Sequence, residues 1–214
     1  MMRFVLPIIV APVLVLILLS GCGPTSVSSG KEDLQPASKA WIPFAGNESV
    51  TFNFEDEKMV FTATGMESFY EPVLYKTDQS GFFSIQKDYY ADLERVHITF
   101  ESPSTTYFLS YCLEKNKAET GDWDLLKVTI SDNQYYANQL RIITYETDNF
   151  NKGKNFRLQA TMTLGGKVFN DVYYWKQERR PFEIYYTRAQ GVIAFKITSN
   201  QLWVIEDSGK VYFD

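Results

Sequence analysis

Phe156-Arg157-Leu158-Gln159-Ala160-Thr161-Met162-Thr163-Leu164 alternates apolar and polar residues without a break. In an extended chain Phe156, Leu158, Ala160, Met162 and Leu164 fall on one side. Arg157, Gln159, Thr161 and Thr163 fall on the other, which is the period of a strand with one covered face. Gly165-Gly166 follows at once, and residues 168–175 return. Two glycines between two such runs supply the positive φ angles of a tight hairpin turn, so this stretch predicts a β-hairpin.

The pattern repeats in both directions. Val50, Phe52 and Phe54 alternate with Thr51 and Asn53, Asp56-Glu57-Lys58 offers a turn, and residues 59–64 pair back. Further strands are expected at 81–85, 95–101, 106–114, 125–131, 139–145, 182–188, 192–198, 202–206 and 211–213. Ala189-Gln190-Gly191, Ser199-Asn200 and Ser208-Gly209-Lys210 supply turns between the last of them. Aromatic residues are 16% of the chain, which favours strands over helices. Residues 67–70 and 88–93 suggest no more than single helical turns. So many short strands predict an all-β, antiparallel meander forming a curved open barrel, lipocalin-like, with one internal cleft. A β-sandwich is the alternative, since either form hides the sheet edges. Residues 41–214 are long enough for a single domain with a real core.

Composition removes several function classes. The formal net charge is −5 and no basic run appears, so nucleic acid is not an expected partner. His97 is the sole histidine, on the polar side of a strand that also holds Val96, Ile98 and Phe100. One histidine excludes multi-histidine metal sites, and no Gly-x-Ser-x-Gly elbow accompanies it. No metal and no cofactor is expected. Asp171 and Glu183 are candidate carboxylates for acid–base work on a glycoside, on strands expected to be neighbours. Asp122-Trp123-Asp124 lacks the spacing of a calcium loop and reads equally well as a polar turn. The glycines at 65, 165, 166 and 191 fall at strand ends and make no phosphate loop.

Tyr173-Tyr174-Trp175 and Tyr185-Tyr186 place aromatics on both faces of two strands, where a half-buried strand keeps one face polar. They belong either to a two-sided core or to a lined cleft. Tyr174, Trp175 and Tyr186 are the candidate ligand-binding residues, since such rings stack on sugars while their polar atoms take hydrogen bonds. Core packing through cross-strand aromatic pairs is the competing reading. Trp41, Trp123 and Trp203 fit core or rim. The charged stretch Lys176-Gln177-Glu178-Arg179-Arg180-Pro181 reads as a solvated hairpin loop.

The amino terminus carries a different signal. Met1-Met2-Arg3 precedes an apolar run over 4–19, and Leu19-Ser20-Gly21-Cys22 follows. The run is shorter than the roughly 20 residues that span a bilayer. Pro7 and Pro12 also weaken it as a helix. This start resembles the lipobox signal peptide of bacterial lipoproteins. The resemblance implies removal of residues 1–21 and acylation of Cys22, with several acyl chains together making a stable membrane anchor. Gly23 in place of aspartate leans toward the outer membrane. Residues 22–40 would then be the lipidated cysteine and a flexible tether; an 18-residue tether of this kind reaches roughly 25 Å. With Cys22 acylated, Cys112 is left without a disulfide partner, and its apolar strand suits an inert, buried thiol.

Phe169-Asn170-Asp171-Val172-Tyr173-Tyr174, Glu183-Ile184-Tyr185-Tyr186, Gly191-Val192-Ile193-Ala194-Phe195 and Leu202-Trp203 are similar to a pattern in all-β lipoproteins of Bacteroidota. That resemblance covers the last quarter of the chain and implies an envelope lipoprotein, with no catalytic residues to carry over. The expectation is a lipid-anchored envelope protein of binding or assembly type, facing the periplasm or the cell surface. It would present a β-cleft or a sheet face to a protein, glycan or lipid. The alternative is a small envelope hydrolase acting on polysaccharide through a carboxylate pair.

Overall fold

A computed structural model describes residues 25–79, 86–132, 138–147, 155–178, 181–198, 200–206 and 211–212. The apolar leader, Cys22, the expected strand at 81–85, Arg179, Arg180 and the turn at Ser208-Gly209-Lys210 lie outside the described residues. The described residues begin with strand β1 (Thr25–Glu32) and one short helix, α1 (Pro36–Lys39). A first meander follows through β2 (Glu48–Phe54), β3 (Glu57–Asp78), β4 (Lys87–Glu101), β5 (Tyr107–Ala118), β6 (Gly121–Asp132) and β7 (Asn138–Glu146). A second runs through β8 (Arg157–Leu164), β9 (Lys167–Lys176), β10 (Glu183–Thr187), β11 (Gly191–Lys196) and β12 (Leu202–Ile205), and β13 (Val211–Tyr212) is the last described element.

Both meanders belong to one 13-stranded sheet, whose continuous path runs β7-β6-β5-β4-β3-β2-β12-β11-β10-β9-β8, with β1 added beside β4 and β13 beside β2. Pairing of β12 with β2 joins them. The sheet curls into a half-barrel, so the all-β curved open barrel is correct and the sandwich is not formed. The Gly165-Gly166 hairpin forms as the alternation predicts, with φ of 53° and 79° at the two glycines.

Apolar positions of the two meanders line the concave face. Phe52, Phe61, Ile98, Phe100, Tyr111, Leu113, Leu126, Ile184, Tyr186 and Phe195 are fully buried there. Phe52 meets Phe195 edge-on at 4.9 Å, and Phe195 stacks on Trp203 at 6.4 Å, so Trp203 is core.

The segment expected as a flexible tether requires correction over residues 25–40. β1 pairs in parallel with the first half of β4, with Val27 opposite Tyr89 and Glu32 opposite Leu93. Leu34, Ile42 and Phe44 then enter the core. Two buried carboxylates fix this crossing: the Leu34 N–H donates to Glu94 Oε2 and the Gln35 N–H to Asp124 Oδ2, both at 2.9 Å. Lys39 Nζ adds an ion pair to Glu94 at 2.7 Å. Order here comes from partners about 60 to 90 positions away in sequence, and β1 needs no apolar alternation because its side chains stay exposed.

The helical turns expected at 67–70 and 88–93 are strand instead, for a related reason. They sit in the 22-residue β3 and the 15-residue β4, held by backbone pairing from Met66↔Ile98 to Asp78↔Lys87. Most of β3 beyond Phe61 is exposed, so its sequence carries no one-sided pattern.

Candidate functional site

The two-residue turn at Gly165-Gly166 fixes the register of the hairpin. Arg157 falls opposite Tyr174, and β9 in turn sets Tyr174 opposite Tyr185 and Lys176 opposite Glu183. These residues surround a cleft of about 760 Å³ at the end of β9, lined by Asn155, Arg157, Tyr174, Trp175, Lys176, Gln177, Glu178 and Glu183. Two of the three aromatic candidates, Tyr174 and Trp175, therefore lie in one cleft.

A single network organises its floor. The Tyr174 and Tyr185 rings stack at 5.9 Å with 21° between planes. Lys176 Nζ lies over both rings, 5.9 Å and 5.7 Å from their centroids. The Tyr185 hydroxyl donates to Glu183 Oε2, which also faces Lys176 Nζ at 3.3 Å, while Glu183 Oε1 faces Lys196 Nζ at 3.6 Å. Burial pushes the Glu183 carboxyl up, but the Tyr185 hydroxyl and the two ammonium groups outweigh it and hold it below its ordinary value. Burial and the bond to Glu183 push the Tyr185 hydroxyl up. Trp175 is half-buried, tilted against Phe182 at 6.3 Å. The result is a stacked tyrosine pair beside a fixed carboxylate–ammonium pair, with Trp175 also on the cleft lining. Arg157 is exposed at the rim, and no ion pair is seen for it among the described residues.

Tyr186 is a correction. Its side chain is fully buried, on the concave face rather than in the cleft. The ring stacks on Trp41 at 6.4 Å and 8°, and its hydroxyl donates to the Trp41 carbonyl. Tyr173 meets Trp41 edge-on at 5.1 Å, and the Arg188 guanidinium covers the indole at 5.5 Å. Burial, then the neighbouring Tyr111, pushes the Tyr186 hydroxyl well above its ordinary value. Tyr186 is a core residue because the ordered segment around Trp41 lies over it.

The other candidates are not assembled into a site. Asp171 lies five positions before Lys176, the residue opposite Glu183, hence about 16 Å along the strand at ~3.3 Å per residue. Paired glycosidase carboxylates stand about 5–9.5 Å apart, so Asp171 and Glu183 do not form such a pair. Asp122 and Asp124 lie within β6 and face Lys115, whose ammonium pairs with Asp122 and stands 3.6 Å from Asp124 Oδ1. His97 Nε2 is 3.4 Å from Thr99 Oγ1, with Cys112 opposite on β5. Burial raises the Cys112 thiol, so it is not an activated nucleophile. Among the described residues no group of three His, Cys, Asp or Glu side chains fits a metal ion, and no helix is long and apolar enough to cross a membrane.

The place of Arg157 at the cleft, of Lys176 over the two tyrosine rings and of the Glu183–Tyr185 bond does not follow from local pattern, and Lys176, Gln177 and Glu178, expected in a solvated loop, line the cleft. A usable signal existed for Arg157: counting outward from a two-residue glycine turn places it opposite Tyr174. No protein-family model, no curated protein and no solved structure matches this chain.

Proposed function

We propose that this chain is a lipid-anchored protein of the cell envelope that binds a glycan in the cleft beside Trp175. The single observation that carries the reading is the cleft itself. It brings two aromatic residues, Tyr174 and Trp175, together with donors and acceptors from Arg157, Lys176, Gln177, Glu178 and Glu183. Apolar ring faces with a few convergent polar groups suit a sugar ring.

A lipid-carrier role has less support, because the chain's own Leu34, Ile42 and Phe44 fill the concave face. Hydrolysis has less support too. Glu178 and Glu183 both line the cleft, but Glu183 is held ionised, the opposite of what a general acid needs.

The anchor rests on the Leu19-Ser20-Gly21-Cys22 motif. Cys22 precedes Thr25, the first residue of β1, by three positions, so an acyl anchor there would hold the sheet within about 11 Å. The domain would sit against the membrane surface instead of standing off on a long tether.

Native mass spectrometry of the full chain, released from envelope membranes, tests the reading. Adducts of saccharide mass on an acylated chain are expected. An acylated chain that retains phospholipid and no saccharide after mixing with envelope glycans contradicts it.

A further inference from the structure

An open sheet leaves edges, and unpaired edges invite pairing with another chain. Three of the edges here are blunted. The free side of β3 carries Pro72 with Glu67, Glu71, Lys76 and Asp78, and two register shifts against β4. β7 is clipped by Asn155: its Nδ2 donates to the Gln139 carbonyl at 2.8 Å, and its Oδ1 accepts the Arg141 N–H at 2.7 Å. β1 is interrupted by a register shift between Ser28 and Lys31, with Gly30 at a φ of 89°.

β8 has none of these devices. Among the described residues it pairs with β9 alone; it keeps one register over the hairpin, with the pair at Ala160 skipped opposite Asp171 (φ 51°), and it contains neither proline nor glycine. Its sole charge is Arg157, at its first position. Residues 157–161 are exposed, and Leu158 retains 56% of its surface.

We infer that β8 pairs antiparallel with β8 of a second copy of this chain, with Ala160 opposite Ala160 on the two-fold axis. An antiparallel two-fold sets a residue opposite itself, so register and self-complementarity are linked. Centred on Ala160, Leu158 of one copy meets Met162 of the other, and Gln159 meets Thr161. Arg157 meets Thr163, so no like charges face each other. The same alternation that makes β8 a strand makes it complementary to itself. The register also lays the Thr163–Gly166 end of the second copy's hairpin beside Arg157, at the rim of the cleft.

Cysteine cross-linking of the full chain in membranes tests the inference. Cα atoms of directly opposite residues lie about 4.5–5.5 Å apart, within the range a disulfide bridges. Ala160→Cys should give a band of twice the chain mass under mild oxidation. The unsubstituted chain, which already holds Cys22 and Cys112, and Val60→Cys, an exposed site on β3, should not. Ala160→Lys, which sets ammonium against ammonium, should turn a dimer into a monomer by light scattering, with an unchanged circular dichroism spectrum. Three results would each overturn the inference: no covalent dimer from Ala160→Cys, an equal yield from Val60→Cys, or a monomeric unsubstituted chain. Capture of a different polypeptide by β8 would appear as the first of these.

Discussion

Tyr173 and Tyr186 lie one residue from Tyr174 and Tyr185, yet the two pairs have different neighbours. The first pair faces inward and is sealed by Trp41. The second lies on the opposite side of the same strands, stacked under Lys176 and tied to Glu183, with Tyr174 lining an open cleft and Tyr185 buried beside it. Residue type does not separate them, since all four are tyrosines. Strand parity does, together with what covers each face: a segment from the far amino-terminal end covers one, and solvent fills the space beside the other.

Releasing the covering segment should therefore erase the difference. Asp124→Ala has the largest expected effect. It removes the acceptor of the Gln35 N–H and leaves Lys115, only 3% exposed, without one of its two carboxylates. Losing one partner of a buried charge costs about 3–5 kcal/mol, to be read as a lower urea midpoint at unchanged slope. Gly191→Ala comes next. A Cβ there would stand 2.6 Å from the Phe44 ring and 2.8 Å from the Tyr111 hydroxyl, at a φ of 79°. About 1–3 kcal/mol is expected from such overpacking, again read by urea unfolding, with binding in the cleft unchanged once the chain is folded.

Glu183→Gln tests the cleft side and should have the smallest effect on stability. The native carboxyl is held below its unfolded value, so its contribution is fully present above the unfolded range near pH ~4.3 and fades as pH falls through the native value. The unsubstituted chain should lose stability over that acid interval, and Glu183→Gln should flatten that part of the profile. An identical pH profile would mean that the Lys176–Glu183–Tyr185 network does not hold the cleft floor.

The sequence makes the strands legible where one face is covered. The strand through Ile98 and Phe100 carries the alternation because its apolar side enters the core, whereas in the 156–164 strand only Leu164 is buried and the alternation extends over exposed positions. It is silent for β1 and the outer half of β3, where both faces are exposed and backbone pairing supplies the order. The Glu94 and Asp124 contacts to Leu34 and Gln35 are equally hidden, because they join residues 60 and 89 positions apart. At the cleft, Tyr174 and Trp175 were legible as aromatics in excess of what one face needs. Tyr186 was not separable from them, because the cover supplied by Trp41 depends on a segment that reads locally as tether.

The most direct test of the division between sealed core and open cleft is calorimetric titration of three chains with one panel of neutral and acidic oligosaccharides: the unsubstituted chain, Trp175→Ala and Tyr186→Phe. Trp175→Ala should weaken binding at least about tenfold, a loss of roughly 1.4 kcal/mol, while Tyr186→Phe binds as the unsubstituted chain does and loses only stability. Undiminished binding by Trp175→Ala, or loss confined to Tyr186→Phe, would contradict the assignment of the cleft as the glycan site.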